Sequence, residues 1–204
     1  MISANHRAAI REHRGLWGVR RLRQARVLPA VLWLLLAVLG AQGQQKPSEY
    51  QVEAAYLYNF GRFVEWPVQG KNGAGEFNIC ILGDDPFGPT LDAVLAGEKI
   101  GNRSVVARRI ANPRDSSACQ ILFISSSEAN RLNKIIEALD KTAVLTVSDI
   151  PQFSQRRGMI EFVLEENRIR FAVNLAAAQR AGLMLSSELL KVATTVRRNP
   201  QSGD

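Results

Sequence analysis

Three mostly apolar runs in the middle of the chain constrain the fold more than any other feature. They are FNICILG at 77–83, CQILFIS at 119–125 and AVLTVSD at 143–149. Runs of this length predict strands that are buried on both faces. Helical patterns lie between them, including SSEANRLNKIIEALD at 126–140, which predicts βαβ units. The sequence therefore predicts an α/β fold, with a mainly parallel sheet flanked by helices on both faces.

A helix is predicted before the first run and a further strand after it. Ser48 and Gln51 form a capping-box pattern, and apolar residues then recur at helical spacing. Trp66 and Pro67 end this segment. RSVVARRIA at 103–111 predicts the further strand.

The last third of the chain has a different pattern. Residues 159–173 alternate around the polar turn 165–167, which predicts a C-terminal antiparallel β-hairpin. Two short helices, LAAAQRAG and SELLKVAT, are predicted to follow, the second capped by Ser186. We therefore expect a single domain over 48–194 and a disordered tail over 195–204.

The first 43 residues have the pattern of a secretory signal peptide. The basic region 1–26 carries seven arginines and one acid, and the uncharged apolar core 27–41 follows. This core is shorter than the roughly 20 residues that a membrane-spanning helix needs. We expect cleavage after residue 43, export to the periplasm and no stable membrane insertion afterwards. An uncleaved N-terminal anchor is the alternative.

The net charge of +7 belongs mainly to this leader. Beyond residue 43 the chain has 19 lysines and arginines against 18 acids, so the basic stripe of a nucleic-acid-binding protein is missing. Both histidines, His6 and His13, also lie in the leader. The exported chain thus lacks a Ser/His or Cys/His nucleophile pair and the commonest ligand of zinc or copper. We expect a protein that is not an enzyme and binds no metal or cofactor.

The two cysteines, Cys80 and Cys119, are an even number in an exported chain. This favours a disulfide, and two buried reduced thiols are the alternative. Closing a loop of about 40 residues would stabilise the fold by roughly 3 to 4 kcal/mol.

Asp84 and Asp85 follow the first apolar run, at the strand end where α/β proteins place ligands. A phosphate-accepting receiver site would need a third aspartate after a neighbouring strand, but the next run leads into serines 125–127. Adjacent carboxylates rarely bind one metal ion, and no spaced D-x-D pattern adds oxygens. We therefore expect Asp84 and Asp85 to cap the helix that follows Pro86.

Two arginines are candidate anion ligands. Arg62 lies near the end of the first helix and Arg170 on the hairpin, where their guanidinium groups could hold an anion by bidentate contacts. Solvation, or pairing with acids such as Glu161 and Glu165 across the hairpin, is the alternative.

Five segments resemble, in order, the YfiR-like family of exported bacterial proteins. The resemblance runs from about Tyr50 to Val192, and its segments are EAAYLYNFGRFVEWP, FNICILGDDPFGPTLDAVLAG, CQILFIS, VLTVSDIPQF and GMIEFVLEENRIRFAVNLAAAQRAGLMLSSELLKVA. It implies a periplasmic α/β protein that forms homodimers. The best-known member represses a membrane diguanylate cyclase through its periplasmic sensor domain, which restrains cyclic di-GMP synthesis and biofilm formation.

The resemblance also implies redox sensitivity through disulfides. By position, Cys80 and Cys119 match one disulfide of the family. The best-known member has a second cysteine pair near the segment that reads SDIPQFSQRRGM here, and this chain has no cysteine there. Redox control through the second bond is therefore not expected.

The resemblance implies a non-catalytic periplasmic regulator that binds and represses an inner-membrane signalling protein, in the first place a diguanylate cyclase. We expect the partner to contact the hairpin and the start of the next helix, because such hairpins expose both backbone and alternating side chains. The predicted contact residues are Glu161, Phe162, Arg168, Arg170 and Asn174.

Two alternatives stay open at this point. The first is a periplasmic small-ligand-binding sensor, or an accessory protein of a membrane kinase or transporter, with a pocket near Asp84, Ser125 and Asp149. The second is a hydrolase that depends on Ser126, although a G-x-S-x-G elbow is missing around it.

Overall fold

A computed structural model describes residues 48–67, 75–140 and 142–198, so the predicted signal peptide lies outside the described residues. Five α-helices are described, and no helix in these ranges is long and apolar enough to cross a membrane. The helices are α1 Glu49–Phe63, α2 Pro89–Leu95, α3 Leu132–Ala138, α4 Leu175–Arg180 and α5 Ser187–Val192. The strands are β1 Val64–Glu65, β2 Phe77–Leu82, β3 Lys99–Ile100, β4 Arg103–Ile110, β5 Ile121–Ile124, β6 Leu145–Ser148, β7 Ile160–Glu165, β8 Arg168–Asn174, β9 Met184–Leu185 and β10 Thr195–Arg197.

The main sheet has the strand order β10-β8-β7-β6-β5-β2-β4-β3. The run from β4 through β2, β5 and β6 to β7 is parallel, whereas β8 returns antiparallel to β7. This confirms the predicted α/β fold with a mainly parallel sheet and a C-terminal hairpin. Strands β1 and β9 form a separate two-stranded antiparallel sheet.

Helices cover both faces of the main sheet because its central strands are apolar on both sides. On one face, α1, α2, α4 and α5 enclose a core that includes Phe60, Phe123 and Phe171. On the other face, α3 packs over the core around Leu122 and Phe153. Every residue of β2, β5 and β6 is buried, which agrees with strands enclosed between two helical layers.

The predicted first helix begins as the sequence indicates. The Ser48 hydroxyl accepts a hydrogen bond from the Gln51 N–H, and the Gln51 side chain accepts one from the Ser48 N–H. Near the end of this helix, Gly61 passes close to the sheet. A Cβ there would lie 2.3 Å from Ile100 Cδ1 and 3.0 Å from the Phe77 ring, so only glycine allows this approach without a shift.

The hairpin turn also follows from the sequence. Glu166 and Asn167 have φ values of 49° and 60°, the left-handed pair that a two-residue hairpin turn needs. Cross-strand pairing then runs from Glu165 opposite Arg168 to Ile160 opposite Val173.

Two segments differ from the sequence prediction. Residues 126–140 do not form one helix, because a 3-10 segment, Ser126–Arg131, precedes α3. Its start is fixed by the Ser125 hydroxyl, which accepts from the Ser127 N–H.

The predicted disordered tail begins too early. Thr195–Arg197 forms β10, parallel to β8, and the backbone N–H and the hydroxyl of Thr194 both donate to the Phe171 carbonyl. The backbone edge of β8 supplies the partner for this strand. The composition of the tail alone gives no information about that distant edge. Residues 199–204 lie outside the described residues.

Candidate functional site

The predicted disulfide between Cys80 and Cys119 is confirmed. Cys80 lies in the middle of β2 and is 0% exposed, while Cys119 lies two residues before β5. The bond joins two neighbouring strands across 39 residues of sequence. The closed loop includes α2, β3 and β4, so the bond secures one whole edge of the sheet.

The adjacent acids at the end of β2 do not cap α2, which corrects the prediction for Asp84 and Asp85. The N-cap of α2 is Gly88, and no side chain makes a capping hydrogen bond to the first turn of that helix. Asp85 Oδ1 instead accepts from the N–H groups of Phe87 and Gly88 in the turn before the helix. Position 88 of this turn favours glycine, because its φ of 52° lies in the left-handed region.

Arg109 on β4 neutralises this acidic turn. Its Nε donates to Asp85 Oδ2 at 2.8 Å, and its two terminal nitrogens bind both carboxylate oxygens of Asp92 at 2.8 Å. The hydrogen bonds from Arg109 lower the pKa of Asp92, and those to Asp92 and Asp85 raise the pKa of Arg109. The stretch that resembled an acidic centre is thus a clamp between the β2–α2 turn and β4.

The order of the parallel strands reverses between β2 and β5, which is where doubly wound sheets place ligands. Here contacts between the residues after β2 and the 3-10 segment after β5 fill the place where a ligand would bind. The Asp84 N–H donates to Ser127 Oγ at 2.9 Å, and a Cβ on Gly83 would lie 2.5 Å from the same oxygen. Ser125, which the small-ligand hypothesis places in a pocket, is buried and caps the 3-10 segment.

Two carboxyl groups near this edge of the sheet are incompletely hydrogen-bonded. Glu53 on α1 is 4% exposed, and its Oε2 has no hydrogen-bond partner among the described residues. Asp149, directly after β6, has an unpartnered Oδ1 in the same part of the chain. Burial, followed by the charges of Asp149 and Glu49, raises the pKa of Glu53 to about 8. Burial also raises the pKa of Asp149.

The raised pKa of Glu53 predicts that the stability of the folded protein depends on pH. The folded pKa of Glu53 lies above its ordinary value of 4.5, so folding takes up a proton between about pH 4.5 and 8. The stabilising contribution is complete below pH 4.5 and is lost as pH rises through 8. We expect Glu53→Gln to raise the free energy of unfolding, relative to the unaltered protein, by about 3 kcal/mol more at pH 8 than at pH 5.

Urea unfolding at both pH values measures this difference. Glu137→Gln, at an exposed position on α3, is the matched control and should show almost no pH-dependent difference. An effect of Glu53→Gln that is equal at pH 5 and pH 8 would contradict a neutral Glu53 in the folded state.

The tip of the hairpin extends beyond the rest of the sheet. β6 pairs with β7 only at Ile160 and Glu161, and β10 pairs with β8 only from Ala172 onward. The last three pairs, from Val163 opposite Arg170 to the turn, therefore have no neighbouring strand on either side among the described residues. Both backbone edges of the tip are accessible for further pairing.

The tip has one apolar and one charged face. Leu164 lies opposite Ile169, on the same face as Phe162 and Phe171, and is 56% exposed. The other face carries Arg170, and Arg168 opposite Glu165. Both arginines are exposed and form no ion pair with any described residue.

Three of the predicted contact residues have their side chains engaged inside the protein. The Glu161 carboxylate accepts from the N–H groups of Gln152 and Ser154 and from the Ser154 hydroxyl. Phe162 stacks on Phe60 at 5.9 Å between ring centroids. Asn174 caps α4 through Oδ1 and donates from Nδ2 to the Ser154 carbonyl.

Arg168 and Arg170 are thus the predicted contact residues that lie at the surface. Leu164 is exposed as well but is not among the predicted contact residues, although its place next to the turn in an otherwise apolar column indicates exposure. The other candidate anion ligand, Arg62, is exposed at the end of α1. Its guanidinium carbon lies 5.9 Å from the centroid of the Tyr58 ring, a cation–π contact.

Residues 50–194 match the family model described as YfiR/HmsC-like. The chain belongs to the YfiR/HmsC-like family. This confirms the resemblance inferred from the sequence. The family consists of periplasmic, non-catalytic regulators that interact with membrane signalling proteins, so membership indicates a periplasmic regulator.

One solved structure supports the fold alone. A conserved domain protein from Vibrio cholerae O1 biovar El Tor str. N16961 is similar with a TM-score of 0.51 and 10% identity, covering 72% of this chain and 60% of that chain. The ABC domain in complex with L-Trp from Streptococcus pneumonia has a TM-score of 0.44 and 10% identity, covering 59% of this chain and 55% of that one. The chain therefore spans less than two thirds of either structure. A comparison with curated proteins finds no match.

Proposed function

We propose that this protein represses an inner-membrane diguanylate cyclase by binding its extracytoplasmic domain, which lowers cyclic di-GMP signalling and biofilm formation. The proposal includes export through the cleaved signal peptide 1–43 and action as a homodimer. Membership of the YfiR/HmsC-like family supports it.

The projecting hairpin tip is the observation that carries the proposal. Its two open backbone edges fit the addition of an extended segment from a partner, which gains affinity through main-chain hydrogen bonds. Leu164 offers an apolar contact in the same place. Arg168 and Arg170 favour a partner segment that carries acidic residues, because opposite charges on facing strands stabilise the pair.

Repression then follows from a difference in affinity between two states of the cyclase. A regulator that bound the active and the inactive conformation equally would shift nothing, however tightly it bound. The hairpin therefore has to contact a segment that is positioned differently in the two conformations. The aromatic contacts of Phe162 and Phe171 with α1 hold the base of the hairpin and limit the entropy lost on binding.

The experiment measures binding to the isolated extracytoplasmic domain of an inner-membrane diguanylate cyclase from the same organism. We expect Leu164→Asp and Arg170→Glu each to weaken binding by roughly tenfold or more, because both residues lie at the tip. Their thermal unfolding midpoints should stay close to that of the unaltered protein, since neither side chain is buried.

Two matched controls separate this surface from general effects. Val192→Asp places the same new charge at another exposed apolar residue, and Arg114→Glu reverses an exposed charge away from the hairpin. Both should bind as the unaltered protein does. Undiminished binding by the hairpin variants, or an equal loss in the controls, would exclude the hairpin tip as the contact surface.

A further inference from the structure

A cleft lies at the edge of the sheet where β6 and β7 begin, next to the C-terminal ends of α3 and α4. Its apolar wall is formed by five buried side chains, those of Ile136, Leu139, Val144, Met159 and Ala177. The cavity volume is about 50 Å3. This is room for a few water molecules, and hence for a short alkyl tail whose polar group lies at the mouth.

Two guanidinium groups line the mouth of the cleft, Arg157 and Arg180. Arg180 makes no hydrogen bond or ion pair with any residue that the structure describes. Arg157 has one ion-pair partner, Asp140, at 4.0 Å, which is too long for a hydrogen bond. Two cations against one carboxylate leave a net positive charge beside an apolar wall.

The floor of the cleft adds a polar group. Thr146 is buried, and its hydroxyl oxygen accepts from the Met159 N–H at 3.2 Å. Within residues 48–67, 75–140 and 142–198, no acceptor is recorded for the hydroxyl proton of Thr146. A ligand oxygen in the cleft could therefore accept it, which would complete the hydrogen bonding of a buried group.

Backbone geometry holds Arg157 in this place. Its φ is 72°, a left-handed conformation that costs a residue with a side chain about 1 kcal/mol or more. The next residue, Gly158, packs so tightly that a Cβ would lie 2.2 Å from the Phe153 ring. The packing of Gly158 thus fixes the backbone next to Arg157, whose exposed side chain lies at the mouth.

We propose that this cleft binds a short-chain monocarboxylate, with the alkyl tail on the apolar wall and the carboxylate between Arg157 and Arg180. Charge favours an anion, and the apolar wall favours one with a short tail over an inorganic anion. The volume limits the tail to one or two carbons beyond the carboxylate. The site is separate from the hairpin tip, so it does not depend on the proposed repression of a cyclase.

Titration of the purified protein with propionate, followed by calorimetry and thermal shift, tests the proposal. We expect saturable binding with a Kd between about 0.1 and 10 mM, as for a ligand of this size. Arg180→Gln and Arg157→Gly should each weaken binding by roughly tenfold, because each removes a charge-assisted contact. Asp140→Asn should strengthen it by roughly twofold to threefold, since it removes the competing carboxylate.

Controls in both ligand and protein make the result decisive. Propionamide, which has the same size but no charge, should not bind, and phosphate should bind more weakly than propionate. Arg168→Gln removes an exposed arginine elsewhere and should leave the Kd unchanged. Ala181→Leu fills the cleft and should abolish binding. If Ala181→Leu fails to fold, the two arginine variants decide the question.

Three results would overturn the proposal. The first is that propionate shows no saturable binding up to about 50 mM, well above the expected Kd. The second is an equal loss of affinity in Arg168→Gln, and the third is phosphate binding as tight as propionate binding. The last two would indicate general attraction of anions to exposed arginines.

Discussion

We expect replacement of both Cys80 and Cys119 by alanine to lower the free energy of unfolding by about 4 kcal/mol. The bond closes a loop of 39 residues, and removing it returns the conformational entropy of that loop to the unfolded chain. The loss should be concentrated at the edge formed by β3 and β4, which the bond holds against β2. Urea unfolding of the oxidised protein and the double variant measures the difference.

Reducing agent provides the control for this prediction. It should destabilise the unaltered protein by a similar amount and leave the double variant unchanged. Since Cys80 is fully buried, reduction of the folded protein should be slow and should follow the rate of opening. A double variant as stable as the oxidised protein would show that the fold does not depend on this bond. Partner binding by the double variant would then separate a structural bond from a regulatory one.

The second large effect is expected at Glu161, where we predict that Glu161→Ala costs about 3 kcal/mol. The carboxylate is 8% exposed and accepts three hydrogen bonds from Gln152 and Ser154. Removing it leaves two backbone N–H groups and a hydroxyl without an acceptor, each a cost of roughly 1 kcal/mol or more. The same loop includes Gln152 and Arg157 in left-handed conformations, which these bonds help to maintain.

Hydrogen exchange and urea unfolding together test this prediction. The amides of residues 150–158 should exchange faster in Glu161→Ala, and the unfolding midpoint should fall. Glu161→Gln should be intermediate, because one oxygen remains as an acceptor while the new amide faces the Ser154 donors. Glu165→Ala, on the exposed part of the same strand, should change stability by less than about 0.5 kcal/mol. If Glu161→Ala behaves like Glu165→Ala, these hydrogen bonds contribute little.

Features set by neighbouring residues were predictable from the sequence. The mostly apolar β2, the capping box at Ser48 and the polar hairpin turn around Glu166 all depend on interactions within a few positions. Strong local patterns of this kind decide which elements form. They also gave the order of the elements, and with it the parallel sheet.

Features that depend on distant residues were not predictable in this way. Arg109 binds Asp85 and Asp92 from 24 and 17 positions away, so the acidic turn showed no sign of its partner. Glu161 follows the alternation expected of an exposed position, but the preceding loop folds over it and supplies three donors. Glu53 is a polar residue on an amphipathic helix, and only the packing of α1 against the sheet buries it.

The open edges of the hairpin tip also bear on solubility. Unpaired strand edges are templates for self-association, and proteins usually protect them with charge. Two copies of β8 pairing antiparallel about Ile169 would place Arg168 of one copy opposite Arg170 of the other, and like charges on facing strands repel. The same arginines that favour an acidic partner therefore oppose aggregation through this edge. A chain with both arginines neutralised should precipitate at lower concentration than the unaltered protein.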